Sequence, residues 1–333
     1  MASGSKKYEV MIRSIETVVP VVLVQEHILP QSNFDLLLPP IDVGVFFCFQ
    51  KPTATTGTED ASVAFTTFPT MVAVLKEALS KVLVVYYPLA GEMVTNSVGE
   101  SQILCNNRGV DLIEAYADVE LRELNLYNPD DSVEAKLVPK KLNGILCIQF
   151  TELRCGGVVV GCTFDHRAAD AYSFNMFMSA LANIAFNKPI NQMPSFCRFL
   201  HSSQITLSSN SPDPIFNRTF TPLSLQPPPN QLISFAAPVN RIYYISAPGI
   251  ARLQEIAGHS HRRGFPEIDF GWGKAAFGSY HCSRGGKVGY VMPIPQETTG
   301  DWVVYAQVAP SIVAAMEEEP SIFRPLTTEY FCQ

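Results

Sequence analysis

Residues 156–164, GGVVVGCTF, constrain the fold more than any other stretch of the chain. A run this short, apolar and rich in β-branched residues reads as a strand inside the core. It leads directly into DHRAAD (165–170) and then into AYSFNMFMSALANIAF (171–186), which has the pattern of a helix. The polar turn therefore sits at the end of a buried strand, where catalytic groups tend to gather. Two of its residues, His166 and Asp170, are candidates for chemistry. Imidazole, with an unperturbed pKa near 6.5, suits taking a proton from a hydroxyl or amine nucleophile at neutral pH. A carboxylate four positions on can orient the ring or brace the turn. H-x-x-x-D alone is a weak motif, and a polar residue where a strand surfaces is the plainer reading. The position on the turn is what favours catalysis.

Strand-like and helix-like patterns alternate through the rest of the chain, which predicts a mixed α/β fold. DVGVFFCFQ (42–50), SQILC (101–105) and GILCIQFTEL (144–153) read as strands. Met71, Val74, Leu75, Leu79 and Val82 recur at helical spacing, and that helix must end before Pro88, because a proline pushes the preceding residue out of the helical region. From 187 to 238 the composition turns to proline, serine and asparagine, the signature of a crossover linker between an N-terminal lobe (1–186) and a C-terminal lobe (239–333). The second lobe offers strands at 240–246, KVGYVMPI and WVVYAQV, with a helix opened by Pro248 and a short one around SIVAAMEEE. That is thin for an independently stable sheet.

With 333 residues, 47% of them hydrophobic and 17% charged, the chain has ample apolar material for a large core. Its 31 acidic and 24 basic side chains leave a net charge of −7, which disfavours nucleic acid and anionic membrane surfaces as partners. No apolar run approaches the roughly 18 residues of a membrane helix. The eight cysteines lie mostly in apolar stretches without a C-x-x-C pair, as expected of reduced core residues in a cytoplasmic protein.

DFGWG (269–273) is a rarer motif, with Asp269 followed by Phe270, Gly271, Trp272 and Gly273. Its glycines predict tight backbone geometry and its aspartate an ion pair that fixes a loop, so its expected role is shape rather than proton transfer. HR at 166–167 and DFG at 269–271 do not make a kinase, because a glycine-rich phosphate loop and a V-A-I-K lysine are missing. G-x-S-x-G and H-E-x-x-H are absent too. His259, His261, His281 and Cys282 lack the spacing of a zinc site, so no metal is expected. Arg262 and Arg263 form a small basic spot whose plainest reading is exposure to solvent.

H-x-x-x-D at 166–170 followed by DFGWG at 269–273 resembles the paired signature of the plant BAHD acyl-CoA-dependent acyltransferases. LPQSNFDLLLPP (29–40), YPLAGE (87–92), CTFDHRAADAYSFN (162–175) and RPLTTEYF (324–331) extend the likeness to both ends of the chain. The resemblance implies a chloramphenicol-acetyltransferase-like fold, two α/β lobes with a channel along their interface. It implies acyl-CoA as cosubstrate, no tightly bound cofactor, a small alcohol or amine acceptor, and a cytoplasmic monomer of plant specialised metabolism. His166 would be the general base for direct attack on the thioester without an acyl-enzyme. Asp170 would brace the turn through an ion pair, pointing away from substrate, while Asp269, Gly271, Trp272 and Gly273 would support the site structurally. A hydroxycinnamoyl or other aromatic acyl group on a phenylpropanoid-type acceptor is the expected chemistry.

The chain departs from the family pattern in one place. HSHRRG runs almost directly into FPEIDFGWG, so a helix and several strands of the second lobe are missing near Gly264–Phe265. This agrees with the thin second lobe read from pattern alone. The alternative expectation is therefore a non-catalytic, truncated isoform that acts as a binding or interfering partner.

Overall fold

The computed structural model describes residues 7–32, 35–51, 67–196, 237–257, 268–282, 290–295 and 300–330. Most of the proline-rich crossover, the proposed junction at Gly264–Phe265, His259, His261, Arg262 and Arg263 lie outside these residues.

The first half of the chain builds two sheets and two long helices. Its strands are β1 (Val10–Val18), β2 (His27–Pro30), β3 (Asp42–Phe49), β4 (Glu92–Thr95), β5 (Ser101–Cys105), β6 (Val110–Ala117), β7 (Leu146–Leu153) and β8 (Val158–Asp165). The helices are α1 (Phe68–Val85), the single turn α2 (Pro129–Ser132) and α3 (Ala171–Ala185). As the periodicity predicts, α1 buries Met71, Leu75, Leu79 and Val82, with Val74 partly buried, and stops at Val85, ahead of Pro88. All eight residues of β8 are buried. A strand buried on both faces cannot alternate in polarity, and that is why its sequence is so uniformly apolar. One face of β8 meets α3, where Phe164 stacks on Phe174 at 4.0 Å between ring centroids.

The second half supplies β9 (Val239–Ile245), α4 (Ala247–Ala257), β10 (Phe277–Cys282), β11 (Tyr290–Pro295), β12 (Trp302–Val308), α5 (Pro310–Glu317) and the two-residue β13 (Arg324–Pro325). These strands do not stay together. The second sheet has the order β11-β12-β9-β13, whereas β10 joins the first sheet, whose order is β1-β6-β7-β8-β3-β10. A small third sheet, β2-β5-β4, lies beside the DHRAAD turn. The second half of the chain thus completes the first half's sheet, with Gly44 of β3 facing His281 of β10 in register.

Polar side chains buried between the halves tie them together. Asn240 of β9 donates from both its backbone and its side chain to the Asp130 carboxylate of α2. Its side-chain oxygen accepts from the Tyr305 hydroxyl at 2.6 Å, and that same hydroxyl accepts from Cys282 N at 2.8 Å.

The described cysteines are all free thiols, with Cys48, Cys105, Cys147, Cys162 and Cys282 buried and Cys155 exposed. Among the described residues no helix is long and apolar enough to cross a membrane.

Candidate functional site

The DHRAAD turn is held by its first four backbone amides and by carbonyls along it. Asp165 N donates to Ile145 O and His166 N to Ile41 O, both at 2.9 Å, and Ala168 N closes a turn onto Asp165 O at 3.0 Å. From the third sheet side, Gln31 at the end of β2 donates its side-chain amide to Arg167 O at 3.0 Å. His166 therefore leaves the end of a fully buried strand on a backbone with few alternative conformations.

The ring is half-buried and lines a cavity of ≈ 570 Å³, together with Asp35, Leu38, Tyr86, Tyr172 and Met176. Its Nδ1 atom is enclosed and has no hydrogen-bond partner among the described residues. Asp170 also lies on the wall of this cavity. Its Oδ1 accepts from Ser173 N at 2.7 Å, making Asp170 the N-cap of α3. Among the described residues this helix cap stands where the sequence led us to expect an ion pair. The ion pair on the turn belongs to residues the sequence reading passed over. Arg167 Nη2 and Nε reach Asp165 Oδ2 and Oδ1 at 2.7 and 2.9 Å, and Arg167 Nη1 donates to Ser101 Oγ at 3.1 Å. The guanidinium's proton is held more firmly than usual, first by its hydrogen bonds to Asp165. A charged pair two positions apart, on either side of a histidine, was the signal that could have revealed it.

The DFGWG segment stands elsewhere. Trp272 is buried and packs against Phe49, Phe150 and Phe270. Gly271 and Gly273 adopt φ of 102° and 113°, a region that residues with a Cβ avoid. Asp269 Oδ1 accepts from the amides of Gly271 at 2.8 Å and Gly273 at 3.1 Å, so among the described residues its contact is a cap on the turn. Phe49 is the last residue of β3, and Asp42, the first, lies opposite Asp165. Seven steps along a strand span roughly 23 Å. The fold thus keeps the two signature motifs apart, and among the described residues the His166 cavity is lined by its own turn, the 35–38 and 86–89 segments, α3 and the residues following it.

Among the described residues no three His, Cys, Asp or Glu side chains gather as metal ligands. His281, one of the stray histidines, is a core residue with its ring edge-on to Tyr305.

A family model described as "Transferase family" matches residues 8–261. Putrescine hydroxycinnamoyltransferase 1 of Oryza sativa subsp. japonica is 33% identical over 164 residues, which cover 48% of this chain and 35% of that protein. Shikimate O-hydroxycinnamoyltransferase of Nicotiana tabacum is 27% identical over 228 residues, or 66% of this chain and 47% of its own. The matches therefore span less than half the length of these relatives. Among solved structures, vinorine synthase superposes with a TM-score of 0.65 at 16% identity, covering 95% of this chain and 99% of that one. That likeness shows a chloramphenicol-acetyltransferase-like fold.

Proposed function

We propose, on the premise that this chain belongs to the BAHD acyltransferase family, that it moves an acyl group from acyl-CoA to an alcohol or amine, with His166 as general base. The observation that carries the reading is the placement of His166, fixed by its backbone at the end of a buried strand and set into the wall of the ≈ 570 Å³ cavity.

With Nδ1 enclosed, the ring meets the acceptor through Nε2. Nε2 takes the proton as the acceptor oxygen or nitrogen attacks the thioester carbonyl carbon. The tetrahedral intermediate then collapses with cleavage of the carbon–sulfur bond, and the thiolate of CoA recovers the proton from the imidazolium. No acyl-enzyme forms on this route. Asp170 acts through the helix it caps, and Asp269 with its glycines shapes a distant turn.

The relatives named for hydroxycinnamoyl transfer support an aromatic acyl donor. The described wall of the cavity contains Asp35 and Asp170 and no lysine or arginine, which favours an amine or uncharged alcohol over a carboxylate-bearing acceptor. The test is release of CoA thiol from a hydroxycinnamoyl-CoA across an acceptor panel. Replacing His166 by Ala should lower turnover by roughly 10²- to 10⁴-fold; undiminished turnover would refute the mechanism.

A second reading, a non-catalytic form that binds or interferes, is favoured by one observation, the small second sheet of four strands, one of them two residues long. It predicts no thiol release above the H166A background from a protein that still unfolds cooperatively. Wild-type turnover well above that background sinks it.

A further inference from the structure

From the geometry of the turn we infer that Asp165 and Arg167 are positioning residues, a charge-neutral bracket that fixes the His166 ring and sets its readiness to take a proton. The inference rests on His166 as the base, but its first test does not require turnover.

Asp165 is buried, and a buried carboxylate needs a partner. It receives three hydrogen bonds from one residue. Oδ1 accepts from Arg167 N at 3.0 Å and Arg167 Nε at 2.9 Å, while Oδ2 accepts from Arg167 Nη2 at 2.7 Å. The first of these bends the backbone around His166, and the other two form a planar fork that only a guanidinium supplies. Because Arg167 is further tied to Ser101 by its side chain and to Gln31 by its carbonyl, the bracket anchors the His166 backbone to the third sheet.

A second pair makes the arrangement more telling. Asp42 lies directly opposite Asp165 across the β3–β8 ladder, where like charges destabilise a sheet. Lys141 Nζ meets Asp42 Oδ1 at 3.1 Å, so each carboxylate has its own cation. The charges at the strand end sum to zero, and none of the four side chains lines the His166 cavity. Among the described residues the other titratable groups that line the cavity are Asp35, Tyr86, Asp170 and Tyr172. Removing either half of the Asp165–Arg167 pair leaves its partner's charge one residue from the imidazole, and the two removals act with opposite sign.

The experiment follows the His166 ring by NMR in protein labelled on histidine, with H166A identifying its signal. Asp165→Asn keeps an oxygen to accept from Arg167 N but uncovers the guanidinium, so the titration midpoint moves down. Arg167→Gln uncovers the carboxylate, and the midpoint moves up. A shift of about half a unit or more is expected of a neighbouring, partly buried charge. The double variant returns toward the wild-type midpoint. Shifts of the same sign, or none, would overturn the inference. In turnover, Asp165→Asn and Arg167→Gln should each lower kcat by roughly ten- to hundredfold through misplacement of the ring, with KM nearly unchanged, and Arg167→Lys should restore the midpoint but not kcat. Wild-type kcat in all three single variants would also overturn it. If Asp165→Asn does not fold, Arg167→Gln and Arg167→Lys carry the test. Absence of turnover in the wild-type protein counts against the proposed function, while the paired NMR shifts still decide the bracket.

Discussion

The residue scale shows how differently two members of one motif are employed. His166 presents its ring to a cavity, whereas Asp170 turns its carboxylate onto the Ser173 amide and starts α3. The sequence drew attention to the histidine through its position, a titratable ring on the turn that follows the buried run GGVVVGCTF. It could not assign the role of Asp170, since the four-residue spacing of His166 and Asp170 suits a proton relay, a brace and a helix cap equally. Only the positions of the amides discriminate. The cap predicts that Asp170→Ala costs about 1 kcal/mol and Asp170→Asn only a few tenths, since asparagine caps nearly as well. Urea unfolding monitored by circular dichroism measures both. If Asp170→Asn keeps full stability yet loses turnover as completely as H166A, the carboxylate has a chemical role beyond the cap.

At the scale of elements, legibility followed burial. α1 and α3 were plain in the sequence because each buries an apolar face at helical spacing, and β3, β7, β8 and β12 because each is buried along nearly its whole length and is predominantly apolar. β1 escaped notice because Met11 and Ile15 on this edge strand are exposed, so its apolar residues do not mark a core face. β10 escaped because FGSYHC carries glycine, serine and histidine, and its partner β3 lies more than two hundred residues away in the chain. Composition reports local pattern, and β10 is made a strand by the open edge of β3. The same long-range closeness explains Gly161. A Cβ there would lie 1.9 Å from Leu137 O, so the 133–138 segment can cross the middle of β8 only if the position lacks a side chain. Gly161→Ala should therefore destabilise the protein by about 1–3 kcal/mol and displace the turn that begins four residues later. Thermal melting gives the first quantity, and the His166 ring signal reports the second. An unchanged melting temperature would mean that the crossing segment yields freely.

For the whole molecule, the question is whether the small second sheet can stand without the first. Among the described residues its main ties run through buried groups. Asn240, Tyr305 and Gln307 are fully buried, and all three bond to the strand end at Cys282 that the second half inserts into the first sheet. Asn240→Ala strips the Asp130 carboxylate and the Tyr305 hydroxyl of a partner at once. Leaving a charged and a neutral group poorly satisfied in the core should cost about 3 kcal/mol, and the unfolding curve should separate into two steps if the second sheet detaches first. Alkaline pH probes the same junction without mutation. Burial raises the Cys282 thiol from 9.0 to about 11 and the Tyr305 hydroxyl well above its ordinary 10.0. Both groups stay protonated in the folded chain at pH values where the unfolded chain ionises them. The stability they contribute is thus complete below pH 9.0 and declines as the pH rises toward and through the folded-state values. The urea midpoint should be flat on the neutral side of that window and fall within it. In Tyr305→Phe the fall should be shallower, since one of the two ionisations is gone, whereas an identical slope would place the alkaline sensitivity outside this junction.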